Sequence, residues 1–175
     1  MNPAEKIALI FIIVESFELL EIPCQKDHIQ AIMYFLKSIY PILDIDFNFT
    51  LVKNTPYSED LDRLLNDLKK LKYLLFGVES IRVDYNVINK LKEVVSGEFY
   101  SLNRIRIQHI IARILNRSLK ELKLVMTAMY LLNQNRWVDD GILLKELKQL
   151  KPEYPIVQIT SALETAKKIK NMRRL

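Results

Sequence analysis

The sequence predicts a mostly α-helical protein with a small β component. Residues 1–97 form a winged-helix-like N-terminal half, with a strand and a β-hairpin, packed on a C-terminal helical bundle of residues 98–175. Three observations predict this. Apolar residues recur at helical spacing through most of the chain. Strand-like patterning is confined to a stretch near residue 47 and another from 73 to 83. The N-terminal order of helix, helix, strand, helix and hairpin is that of a winged helix. With 50% hydrophobic and 27% charged residues the composition is globular, and the two parts are expected to share one core.

The first helix opens at Asn2-Pro3, where Asn2 can cap, Pro3 suits the first helical position and Glu5 completes a capping box. It should run to about Leu20. The second carries Ile29, Ile32, Met33, Leu36, Ile39 and Tyr40 on one face, and Pro41 stops it. In "DFNFTLVK", Phe47, Phe49 and Leu51 alternate with polar or smaller residues, which predicts a half-buried strand. Pro56-Tyr57-Ser58 is then expected to turn the chain into a helix capped by Ser58, with Leu61, Leu64, Leu65, Leu68 and Leu71 facing the core. In this reading the ring of Tyr57 packs back against the strand of Phe47 and Phe49. Two apolar runs, 73–76 and 81–83, flank Gly77 as a hairpin.

A helix from Asp84 to Ser96 should bury Val87, Ile88, Leu91, Val94 and Val95, with Gly97 ending it in a left-handed turn. Another is expected over 102–116. Ser118 and Glu121 form a capping box for the helix of Leu124–Leu132, which is apolar on nearly all sides. Met126, Met129, Tyr130 and Leu131 should therefore be buried. Asp139 or Asp140 caps a helix ended by Pro152, and Pro155 starts the last one.

The apolar run Ile7–Val14 is eight residues long, against about 20 for a membrane span, and acidic residues flank it. A buried helix is the expectation, and with it a soluble, cytoplasmic protein without a membrane partner. The single Cys24 cannot form an internal disulfide, which fits a reducing compartment. Three glycines and many Ile, Leu and Lys are compatible with a thermophilic source.

Two stretches carry a family resemblance. "DHIQAIMYFL" (27–36) followed by "TPYSEDLDRLLNDLKKLKYLL" (55–75) resembles the Panacea domain of SocA-like antitoxins. The segment 122–166 is similar to the tail of bacterial and archaeal winged-helix-like relatives. Asn54-Thr55 departs from the Tyr-Gly usual before Pro-Tyr-Ser, and Pro155 replaces the usual cap. The resemblance implies a fold and a role in binding a partner protein, and carries over no catalytic residue.

Residue chemistry agrees with a binding role. Cys24 and His28 are spaced like two metal ligands on a helix, but His109 is remote and no second cysteine completes a set. No phosphate-cradling glycine loop or nucleophile elbow occurs. The expectation is no enzyme, no cofactor and no metal. Charge ranks the partners. Glu59, Asp60 and Asp62 open the would-be recognition helix, where a DNA reader would carry cations; helix stability explains the acidic start, and solvent or a basic partner protein its exposed face. The net charge of +5 lies elsewhere. Arg106, His109, Arg113 and Arg117 cluster within about 80° on a helical wheel, which reads as a solvated helix face or as a stripe for nucleic acid, the runner-up partner, or another acidic partner. Lys167, Lys168, Lys170, Arg173 and Arg174 form a second basic cluster.

Overall fold

In the computed structural model, residues 1–134 and 139–172 are described. The N-terminal elements are α1 (Pro3–Leu19), α2 (Lys26–Ile39), β1 (Thr50–Val52), β2 (Thr55–Tyr57) and α3 (Glu59–Lys70). They are followed by β3 (Leu74–Phe76), β4 (Ile81–Val83) and α4 (Tyr85–Val94). The remaining helices are α5 (Gly97–Ile114), α6 (Leu119–Gln134), α7 (Asp140–Leu150) and α8 (Ile156–Asn171). The described chain is thus mostly helical, with two separate two-stranded antiparallel hairpins. No helix among the described residues is long and apolar enough to cross a membrane.

The N-terminal end of α1 forms as its sequence predicts. Glu5 N–H donates to Asn2 Oδ1 at 2.9 Å, and Asn2 N–H to Glu5 Oε2 at 3.0 Å. Every residue from Ala8 to Val14 is fully buried, because a helix with no polar face has to be enclosed on all sides. α5, α2, α4 and β4 supply that enclosure. A second central helix, α6, packs on α8, α2, α7 and β2. Met126, Met129 and Leu131 are buried there, whereas Tyr130 is only half-buried. One continuous apolar cluster runs from α1 to α8.

Two helices end alike. At the end of α1, Ile22 N–H donates to Phe17 C=O and Glu21 N–H to Glu18 C=O, both at 3.0 Å. At the end of α3, Tyr73 N–H donates to Leu68 C=O at 2.9 Å and Lys72 N–H to Lys69 C=O at 3.0 Å. Both are Schellman motifs, and both place a non-glycine residue in the left-handed position: Glu21 at φ 56° and Lys72 at φ 58°.

The β elements depart from the sequence reading. The expected strand of Phe47, Phe49 and Leu51 shrinks to Thr50–Val52, whose residues are all exposed; Phe47 is buried ahead of it. Pro56-Tyr57 is a second strand and not a turn: β2 pairs with β1, with Leu51 opposite Pro56. The turn is Lys53-Asn54, at φ 49° and 56°, the pair of left-handed residues that a type I′ hairpin requires. With a two-residue loop, Thr55 exchanges hydrogen bonds with Val52, so the missing N–H of Pro56 falls at a non-bonded pair. The hairpin tip is clamped to the bundle. Thr127 Oγ1 donates to Asn54 C=O at 2.8 Å, Asn54 Nδ2 to Leu150 C=O at 3.1 Å, and the buried Lys151 Nζ to Thr55 Oγ1 at 2.8 Å.

The second hairpin lies where expected, with Leu74 opposite Val83. α4 is shorter than expected and leaves Val94 exposed, as Leu71 is at the end of α3. Gly97 does not end α4 in a left-handed turn. It opens α5 at its first position, because Ser96 caps that helix by accepting from Phe99 N–H at 3.1 Å. The helix expected over 102–116 therefore starts five residues earlier and stops at Ile114.

Candidate docking surfaces

The start of α3 is built into the fold. Ser58 is fully buried and its Oγ accepts from Leu61 N–H at 3.3 Å. The side chain of Gln30, itself buried in α2, donates to Ser58 C=O at 2.9 Å and accepts from Ser58 N–H at 3.0 Å. A buried residue with both backbone groups paired this way has little freedom to move. The three predicted acidic residues then separate. Asp62 is half-buried and receives Lys26 Nζ at 2.8 Å and Asn66 Nδ2 at 3.1 Å. Its carboxyl feels desolvation, and the Lys26 and Tyr57 bonds outweigh it, holding the pKa below the usual carboxylate value. Asp60 is exposed and pairs with Arg63 one turn on. Glu59 is exposed at the helix start.

Tyr57 is half-buried, and its hydroxyl meets Asp62. Burial first, and the Asp62 charge second, push its pKa up to about 12. The ring contact of the preceding segment is with α2: Phe49 packs against Tyr34, the ring centroids 5.1 Å apart and the planes tilted by 55°. Cys24 is fully buried, and burial pushes its thiol pKa up. His28 Nδ1 accepts from Gln25 N–H at 3.0 Å, and the ring packs 4.7 Å from Phe17. Burial lowers the His28 pKa against the opposing pull of Asp27.

The basic stripe of α5 does not stay a stripe. Arg106 lies over the Tyr40 ring at 4.6 Å and donates to Asn103 Oδ1 at 3.1 Å. Arg117 reaches α8, donating to Ser161 Oγ at 3.0 Å and Thr165 Oγ1 at 2.6 Å. His109 and Arg113 remain exposed. Arg113 and Arg117 meet Lys168 around one shallow groove of about 420 Å³, which also contains Glu121. Of the second basic cluster, Lys167 pairs with Asp140 and Lys170 donates to Leu132 C=O. Arg173 and Arg174 lie outside the described residues.

One concave surface was not singled out by the sequence reading. The end of α1, the turn into α2, the β3–β4 hairpin and the start of α4 surround a cleft of about 1030 Å³. Ile22, Leu75, Phe76, Val78 and Tyr85 supply its apolar lining, and Glu18, Glu21 and Glu79 its carboxylates, with Arg82 as the lining cation. Val78 at the hairpin tip is fully exposed at 106%, Tyr85 at 60% and Leu75 at 48%. Leu19 and Leu20, beside Glu18 and Glu21 in sequence, are exposed too. Tyr85 donates to Glu18 Oε2 at 2.9 Å, bridging α4 to α1. One signal was present in the sequence: valine stands in the hairpin loop "GVES", where turns favour Gly, Asn, Asp or Ser.

No family model matches the chain, and no curated protein matches it.

Proposed function

We propose that this chain is a non-enzymatic protein-binding module of antitoxin or adaptor type, its N-terminal half winged-helix-like. The observation that carries the reading is the cleft at the end of α1. Exposed Leu75, Val78 and Tyr85 line one concave surface, with exposed Leu19 and Leu20 beside its Glu18 and Glu21 in sequence, and clustered exposed apolar side chains of this kind mark contact sites. The likeness of residues 27–36 and 55–75 to the Panacea domain supports the same class of function. The acidic start of α3 supports it from the other side, since Glu59, Asp60 and Asp62 would repel a phosphate backbone. The test uses the immobilised chain and its Val78→Asp variant against lysate of the source cell. A protein retained by the wild type and lost from the variant is expected, and identical capture by both would remove the reading.

A second reading, a DNA-binding regulator, draws on the groove shared by Arg113, Arg117 and Lys168. Phosphate contacts by clustered cations give salt-dependent duplex affinity. Sub-micromolar duplex binding that falls steeply with salt, and is lost in Arg113→Glu, would favour this reading over the first.

A further inference from the structure

We infer that the cleft at the end of α1 receives a basic, apolar segment of the partner protein. Such a segment sets a lysine or arginine between Glu18, Glu21 and Glu79 and lays aliphatic side chains on Leu75 and Val78. This inference rests on the protein-binding reading and specifies the chemistry of its partner.

Charge complementarity is the first argument. The chain carries a net charge of +5, yet the cleft is lined by three carboxylates against the one guanidinium of Arg82. Neither Glu18, Glu21 nor Glu79 has an ion-pair partner among the described residues. Glu18 accepts a hydrogen bond from the Tyr85 hydroxyl, a neutral donor that leaves its charge uncompensated.

The second argument comes from the helix itself. The carbonyl end of a helix carries partial negative charge, and cations in the last turn stabilise it. α2, α3, α4, α5, α7 and α8 each place a lysine or arginine there. α1 and α6 do not, and α1 alone of these two has a glutamate, Glu18, in that turn. Glu21 then adds a second carboxylate from the left-handed position of the cap. The cation that most helices of this chain provide for themselves is missing where the cleft opens.

The apolar lining completes the specification. An acidic segment would meet like charge, and an uncharged one would desolvate three carboxylates without pairing them. A segment with one cation flanked by aliphatic residues answers both surfaces.

The experiment is selection of a displayed library of random 12-residue peptides on the full-length chain. Counter-selection on Val78→Asp keeps only cleft-dependent binders. Enrichment of Lys or Arg next to Leu, Ile or Val is expected. Synthetic copies of the winners should lose affinity at least about tenfold on Glu21→Lys/Glu79→Lys, and their binding should weaken as salt rises. Cleft-dependent peptides that are acidic or neutral, or that bind the charge-reversed variant equally well, would overturn the inference and leave the protein-binding reading standing. A selection in which no peptide distinguishes wild type from Val78→Asp would overturn both. Circular dichroism of each variant confirms that a loss of binding is not a loss of fold.

Discussion

Glu21→Gly should stabilise the protein while weakening the cleft. An L-residue in the left-handed region costs about 1–2 kcal/mol, and glycine removes that cost. Glycine also frees the unfolded chain, which offsets about 0.5–1 kcal/mol of the gain. Removing a carboxylate from the negative end of α1 adds about 0.3–1 kcal/mol. The net expectation is a gain of about 1 kcal/mol, or roughly 2–4 °C in Tm for a chain of this size. Lys72→Gly provides the internal control, because Lys72 occupies the same Schellman position at φ 58°. There the backbone gain is offset by losing a favourable cation at the end of α3, so the expected change is about zero. Urea denaturation of both variants should therefore separate them by about 1 kcal/mol. Only Glu21→Gly should lower affinity for cleft-dependent peptides, since Lys72 does not line the cleft. Equal gains in the two variants would refute the dipole argument, and a destabilised Glu21→Gly would refute the strain argument.

Three further perturbations test the core and the helix starts. Gln30→Leu keeps the volume but leaves the buried N–H of Ser58 unpaired, while the Ser58 C=O keeps its bond from Asp62 N–H, and should cost about 1–3 kcal/mol by chemical denaturation; a loss under about 0.5 kcal/mol would show that Gln30 does not hold α3. Leu131→Ala should cost roughly 2–5 kcal/mol, measured in the same way, and a near-neutral result would argue against α6 as a central helix. His28 has a folded-state pKa below its ordinary value of 6.5, so the unfolded chain takes up its proton first. Stability should be full above about pH 6.5 and fall as pH drops toward the folded-state pKa, and the slope in that window should flatten in His28→Gln. A wild-type slope retained in His28→Gln would assign the proton uptake to another group.

Much of the helical frame is legible in the residues because the signals are local. Asn2 with Glu5, Ser58, Ser118 with Glu121, and Asp139 all cap where they stand in sequence. The apolar runs of α1 and α6 announce burial because no polar face exists to point outward. The β register is harder to read, since Lys53-Asn54 lacks glycine and its left-handed pair is clamped by Thr127, Leu150 and Lys151, which lie 73 to 98 residues away. Gly97 follows an apolar face and suits a helix end, but Ser96 before it caps α5 and makes Gly97 a helix start. The basic stripe is a spacing on one helix and not by itself a surface. A wheel places Arg106 and Arg117 side by side, and only tertiary neighbours show that Tyr40, Ser161 and Thr165 hold them.

The acidic start of α3 and the acidic end of α1 look alike in composition and differ in what the fold requires of them. Glu59, Asp60 and Asp62 lie at the positive end of their helix, where carboxylates are favoured. Asp62 is bonded to Lys26 and Asn66, and Asp60 to Arg63, so two of the three charges are accounted for within the chain. Glu18 and Glu21 lie at the negative end of theirs, Glu21 also in a backbone conformation that disfavours it, and neither meets a cation among the described residues. Their charge works against the stability of the helix that carries them. A residue type that the fold itself would select against, next to exposed apolar side chains, is better explained by something it contacts outside the chain. By that criterion the end of α1, and not the start of α3, is the place at which the proposed partner is to be tested.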